Sequence, residues 1–205
     1  MNKIVIIDYG MGNLFSVLRK FDRLNIPTEI SNKPSKILNA DKLVLPGVGH
    51  FANGMKNLNE RNIIDALSEQ VLVKQTPILG ICLGMQLFAN SSEEGLVPGL
   101  GWIDSTVVRF NVSDTLKYKV PHMGWNNLAI QKENDLLHKI DEDCFFYFVH
   151  SYHMLCQSKD DVLTNTTYDS PFTSSVAKNN IFGTQFHPEK SYEAGEQVLL
   201  NFFKI

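Results

Sequence analysis

The chain has 205 residues, is 43% apolar and 20% charged, and carries a net charge of −3 with no block of lysine and arginine. That is the composition of an ordinary soluble globular protein, and the absence of a basic stripe argues against a nucleic-acid partner. No apolar run reaches the roughly 18 residues of a membrane span, and the run at the N-terminus is too short for a signal peptide, so a cytoplasmic protein without a membrane partner is expected.

In chain order, a β-branched strand over residues 3–7 ends at Asp8, and Tyr9-Gly10-Met11-Gly12-Asn13 forms a turn. Leu14, Val17, Leu18, Phe21 and Leu24 then recur at helical spacing. The turn lacks the third glycine of a dinucleotide fingerprint, so it reads as a tight strand-to-helix connection. Asn25-Ile26-Pro27 stops the helix, a second strand covers 28–30, and a third covers 42–45 before Pro46-Gly47-Val48-Gly49. Helices are predicted at 55–58 and 63–73, the latter with Ile63, Ile64, Leu67 and Val71 on one face. A fourth strand at 77–81 runs into Cys82, and Met85, Leu87 and Phe88 fit a helix behind it.

Strands alternating with helices in this way predict a doubly wound, mostly parallel α/β sheet whose ligands bind outside the carboxyl ends of its strands. After the polar turn at 91–95 the character changes. Short β-rich runs at 102–110, 127–130, 145–148, 162–168 and 172–176 predict antiparallel strands added to the parallel core. A last strand at 181–186 leads into His187-Pro188-Glu189, and a helix at 194–203 closes the chain. Linkers and repeats are absent, so a single domain over 1–205 is expected.

Gly80-Ile81-Cys82-Leu83-Gly84 places a cysteine on a sharp strand-to-helix turn with glycine two residues to either side, where a Cβ would crowd the turn. A helix N-terminus favours thiolate over thiol and offers an N–H to a developing oxyanion. The rival reading is a buried cysteine that fills the end of a core strand. His187 and Glu189 lie beyond another strand end, two residues apart in a segment expected to be extended, so that the carboxylate orients the imidazole toward the thiol. Val48 and Gly49, in a turn where glycines bracket one residue, are candidates for the second oxyanion donor beside Leu83. Gln86, one turn beyond Cys82, faces the same way and is placed to bind the α-amino or α-carboxylate end of a substrate. Cys144 and Cys156 make no disulfide framework or metal set with Cys82, and no metal is expected.

The run Gly80–Gln86 together with Phe186-His187-Pro188-Glu189 resembles the class I, triad-type glutamine amidotransferase family. Pro46-Gly47-Val48-Gly49, Val120-Pro121-His122-Met123-Gly124-Trp125-Asn126 and Phe146–Tyr152 are similar to the branch that serves as glutaminase subunit of imidazole glycerol phosphate synthases. Relatives that serve purine, anthranilate or pyridoxal phosphate synthesis carry other oxyanion turns. The resemblance implies a flavodoxin-like fold, no cofactor, and hydrolysis of L-glutamine by a Cys82-His187-Glu189 triad. It further implies substrate contacts at Gly47, Glu94, Ser151 and Tyr152. The implied partner is a (β/α)8-barrel cyclase that takes the ammonia in histidine biosynthesis, forming imidazole glycerol phosphate and AICAR, and whose nucleotide substrate raises glutaminase activity. Tyr9, Asn13, His122, Met123, Trp125 and Asn126 are the candidate contacts with that partner, with Trp125 equally readable as a core aromatic.

Departures at His153-Met154-Leu155-Cys156 and Tyr192-Glu193-Ala194-Gly195 leave open a paralogue supplying ammonia to a sugar-amidating synthase of surface polysaccharides. A non-catalytic flavodoxin-like protein with Cys82 as redox sensor is a third reading. Against it, a sensor has no use for the base and orienter that His187 and Glu189 supply.

Overall fold

A computed structural model describes residues 3–205. The first half alternates strand and helix: β1 (Ile4–Ile7), α1 (Leu14–Arg23), β2 (Thr28–Ser31), α2 (Pro34–Ile37), β3 (Lys42–Gly47), α3 (Phe51–Glu60), α4 (Ile64–Ser68), β4 (Ile78–Cys82) and α5 (Leu83–Gln86). The second half is mostly strand: β5 (Ser91–Ser92), β6 (Val97–Pro98), β7 (Ser105–Arg109), β8 (His122–Asn127), β9 (Ala129–Ile130), β10 (Phe145–His150), β11 (Tyr152–Cys156), β12 (Val162–Tyr168), β13 (Ser170–Lys178) and β14 (Ile181–Thr184), closed by α6 (Tyr192–Lys204).

The main sheet runs in the order β2-β1-β3-β4-β14-β13-β11-β7-β5-β6, with β12 paired to β13 and β9 to β12. Its pairs from β2 to β14 are parallel, as expected for the alternating half. From β14 through β13 and β11 to β7 they are antiparallel. The last main strand in sequence is therefore inserted beside β4, between the parallel and antiparallel halves. β8 and β10 form a separate antiparallel pair.

Both faces of β1, β3 and β4 are covered, which is why they read as largely apolar runs, whereas the edge strand β2 is half-buried and mostly polar. The period-2 alternation still sorts the side chains. Ile4 and Ile6 of β1 and Val44 of β3 pack with Val17 and Phe21 of α1 and Val198, Leu199 and Phe202 of α6. Val5, Ile7, Leu43 and Leu45 pack on the other face with Phe51 and Leu58 of α3, Leu67 of α4 and Met85 of α5. Asn13 caps α1, its side-chain oxygen accepting from the Ser16 N–H at 3.2 Å.

Several local expectations shift. The third strand extends through Pro46 to Gly47, because Gly47 stays in register with Cys82 on β4. The helix behind Cys82 is a single turn, and the one expected over 63–73 widens into a π-helical turn at Glu69–Val73. Trp102, expected to open a strand, instead stacks on Phe88 at 5.2 Å, and the strand begins at Ser105. β8 and β11 escape the sequence reading. Glycine and polar residues in β8 hide its alternation, and its partner β10 lies across the intervening segment. Among the described residues no helix is long and apolar enough to cross a membrane.

Candidate active site

Three strand ends meet because of register. Gly47 pairs with Cys82 across β3 and β4, and Thr184 pairs with Ile81 across β14 and β4, so the segments after 47, 82 and 184 leave the sheet at one edge. Cys82 itself sits at φ 53°, ψ −109°, a left-handed conformation costly for a side chain with a Cβ. The surroundings hold it there. A Cβ at Gly80 would approach the Met85 backbone nitrogen to 2.6 Å, and one at Gly84 would overlap the Leu45 carbonyl. Only glycine at both offsets lets the turn close this tightly.

His187 and Glu189 are buried, and His187 Nδ1 lies 2.8 Å from Glu189 Oε1. The segment joining them is not extended. Pro188–Lys190 forms a 3-10 turn, closed by the Lys190 N–H on the His187 carbonyl at 3.0 Å, with the Ser191 hydroxyl on the same carbonyl at 2.6 Å. Proline at the first position of such a turn costs no hydrogen bond, and the turn still brings the carboxylate back to the ring. The outer nitrogen, Nε2, is buried with no hydrogen-bond partner. Burial alone would lower the pKa of His187. The neighbouring Cys82 and the Glu189 carboxylate overcome this and push it up to about 10. An imidazole held by a carboxylate beside a cysteine is placed to move a proton between that sulfur and a substrate.

Outside this pair opens a cleft of about 370 Å³, lined by Val48, Gly49, Cys82, Leu83, Gln86, Glu94, Ser151 and Tyr152, all candidate site residues, and by Pro121, Val149 and His150. Its size is within the usual range for small-molecule sites. Gly49 takes φ +116°, a backbone conformation open to glycine. Gly47 lies beneath, where a Cβ would collide with the Tyr9 hydroxyl. Glu94 has a structural task as well: its Oε2 accepts from the Phe51 N–H at 2.7 Å, at the start of α3.

Gln86 is more constrained than its spacing implied. Its Nε2 donates to the Tyr152 carbonyl at 2.9 Å and to Gln185 Oε1 at 3.0 Å, leaving its oxygen for a ligand. An oxygen acceptor suits an α-ammonium, not an α-carboxylate. Two residues went unnoticed in the sequence. Gln185, fully buried, points its Nε2 at Cys82 Sγ at 3.6 Å. His150, in the cleft wall, bonds the Tyr152 carbonyl through Nδ1 at 2.8 Å and faces His122 Nδ1 through Nε2 at 3.3 Å. A long polar side chain between the strand end at Thr184 and Phe186-His187 was the available signal for Gln185.

The candidate partner contacts divide. Tyr9 and His122 are buried and cannot present their side chains to a partner. Tyr9 packs under Gly47, and His122 stacks between Phe148 at 5.0 Å and Tyr168 at 4.1 Å. Asn126 is half-buried and donates to the Thr167 carbonyl at 3.0 Å. Asn13, Met123 and Trp125 are exposed, and Trp125 stacks on exposed Tyr192 at 5.0 Å instead of joining the core.

Comparison with known proteins places the chain in a family. The chain matches the family model for glutamine amidotransferase class-I over residues 5–205. It is 48% identical to the imidazole glycerol phosphate synthase subunit HisH 2 of Methanococcus maripaludis, covering 98% of each chain. It is equally 48% identical to the subunit of that name from Pseudomonas aeruginosa, covering 98% of this chain and 99% of that one. The solved structure of PurLQS from Thermotoga maritima superposes with a TM-score of 0.74 at 13% identity, over 98% of this chain and 97% of the other, a likeness of fold alone. On a family match that runs to the last residue and relatives this similar along their whole length, the chain belongs to the class-I glutamine amidotransferase family.

Proposed function

We propose that the chain, acting over 1–205 as one domain, is the glutaminase subunit of an imidazole glycerol phosphate synthase, hydrolysing L-glutamine to glutamate and ammonia. The observation that carries the reading is the buried His187–Glu189 pair at 2.8 Å beside a cysteine held in the left-handed region. Such an arrangement has no use in a redox sensor. Relatives at 48% identity named as HisH subunits support the pathway.

In this reading the Cys82 thiolate attacks the side-chain amide carbon of glutamine, and the oxyanion is held by the N–H of Leu83 and by that of Val48 or Gly49. His187, protonated and oriented by Glu189, gives its Nε2 proton to the departing ammonia. It then takes a proton from the water that attacks the thioester, and glutamate leaves as the thiolate re-forms. Gln86 Oε1 and Glu94 receive the α-ammonium, and the Ser151–Tyr152 backbone receives the α-carboxylate.

Ammonia released into neutral water is protonated and no longer nucleophilic, so a synthase needs a covered path to its acceptor. The partner is a (β/α)8-barrel cyclase in a heterodimer, docked on the edge where the strand ends meet, with Met123, Trp125 and Asn13 among the exposed contacts. The setting is cytoplasmic histidine biosynthesis, and the cyclase half supplies the lyase activity.

The test is glutamate release by the wild type and by Cys82→Ala, alone, with the cyclase, and with the cyclase plus its nucleotide substrate. Cys82-dependent stimulation in the full mixture is expected. Activity that depends on Cys82 but ignores the cyclase would keep the glutaminase and reject this partner.

A further inference from the structure

We propose that Gln185 is a further member of the catalytic machinery: it holds the Cys82 sulfur in its thiolate form, as the last link of an amide relay that starts at the Tyr152 carbonyl and passes through Gln86. The relay rests on the glutaminase reading only for its consequence in turnover. Its direction follows from hydrogen-bond chemistry.

A backbone carbonyl only accepts, so the end of Gln86 that meets Tyr152 O at 2.9 Å is its NH2 group. The same Nε2 lies 3.0 Å from the Gln185 side chain, which must answer with an acceptor, its Oε1. Gln185 thereby turns its own NH2 toward Cys82 Sγ, at 3.6 Å. The two amide orientations are thus set by one carbonyl, and the chain of dipoles ends with an N–H aimed at sulfur. Inverting the last link would set two acceptors or two donors against each other somewhere along it.

Position removes the alternatives. Gln185 is fully buried, and its backbone N–H is fixed on the Ser174 carbonyl at 2.9 Å. Gln86 lines the cleft but Gln185 does not, so the amide approaches the sulfur from inside the protein and does not compete with substrate. A neutral thiol is a weak acceptor, whereas a thiolate accepts a charge-assisted bond. An amide N–H buried against the sulfur therefore favours the ionised form over the protonated one. Gln185 is then the side-chain donor already in place at the sulfur, beside the His187 that the glutaminase reading uses to move the proton.

The experiment follows alkylation of Cys82 by iodoacetamide between pH 5 and 10, with mass spectrometry to read Cys82 separately from Cys144 and Cys156. Wild type, Gln185→Met and Gln86→Met are compared, each with its thermal midpoint. Methionine keeps the volume and removes the donor. For Gln185→Met the half-maximal pH is expected to rise and the rate at pH 7 to fall roughly tenfold, the scale of a lost hydrogen bond to a charged group. Gln86→Met, which frees the Gln185 amide to rotate, is expected to move the same way by less, and it carries the test if Gln185→Met does not fold. A profile identical to wild type in folded variants, or one displaced to lower pH, would overturn the relay. A purely structural role would lower the thermal midpoint and leave the profile in place. Iodoacetamide needs no glutamine site, so this outcome is separate from that of the glutaminase reading, which is judged by glutamate release from the wild type.

Discussion

Two histidine environments near the cleft answer burial in opposite ways. His187 and His150 are both buried, yet His187 is pushed up to about 10 while burial drives His150 well below the usual range. His122, stacked among aromatics beside His150, is pushed down to about 4 by burial. The difference is the company each ring keeps. His187 has a carboxylate at 2.8 Å and a cysteine beside it, whereas His122 and His150 are packed against each other, a carbonyl and the rings of Phe110, Phe148, Tyr168 and Phe172. Charge on His187 itself helps to keep His150 neutral. Burial decides that a charge is costly, and the neighbouring partner decides whether that cost is met.

The strongest way to break this contrast is to remove the carboxylate. Glu189→Gln leaves the ring in place without its counter-charge, and glutamate release by the partner-bound enzyme should fall by roughly 10⁴-fold, the order seen when the orienting acid of a triad is neutralised. A variant that folds and turns over like wild type would show that the carboxylate is not what sets His187 apart.

The contrast should also appear in acid stability. Unfolded His122 takes up a proton below 6.5, but the folded ring stays neutral down to about 4. The unfolded state therefore binds more protons in that window, so stability declines as pH falls from 6.5 toward 4 and levels out below. The loss from His122 is of order 3 kcal/mol. Urea unfolding between pH 7 and 4 should show this slope in wild type and a shallower one in His122→Gln, whatever the absolute stability of the variant.

The smallest effect is expected at His150. Leucine there removes the Nδ1–H bond to the Tyr152 carbonyl, which keeps the Gln86 N–H as a donor. A stability loss of about 1 kcal/mol and a modest rise in KM with kcat retained are expected. A collapse of kcat in His150→Leu would mean that the neutral pair takes part in the chemistry.

These environments were not equally legible in the sequence. Cys82 with its two glycines, and His187-Pro188-Glu189, carry their geometry locally, since a turn of a few residues defines each. Even there the detail differs, because Pro188 opens a 3-10 turn where extended chain was expected. Gln185 could not be read the same way, since its partners are 99 and 103 residues away. Tyr9 and His122 lie in glycine-rich segments with the look of exposed contact loops. Tyr9 is buried because β1 lies beside β3, and His122 because β8 pairs with β10 and its ring meets Tyr168 of β12.

By itself, then, the sequence determined what short-range sterics and periodicity dictate: an alternating parallel half, an elbow that admits only glycine around its cysteine, and a histidine with an orienting acid two residues on. The tertiary structure alone decided which strand ends meet, because inserting β14 beside β4 is a matter of long-range hydrogen bonding and burial. That insertion sets His187 against Cys82, turns the Gln185 amide toward the sulfur, and leaves His122 and His150 in an apolar wall where no counter-charge reaches them.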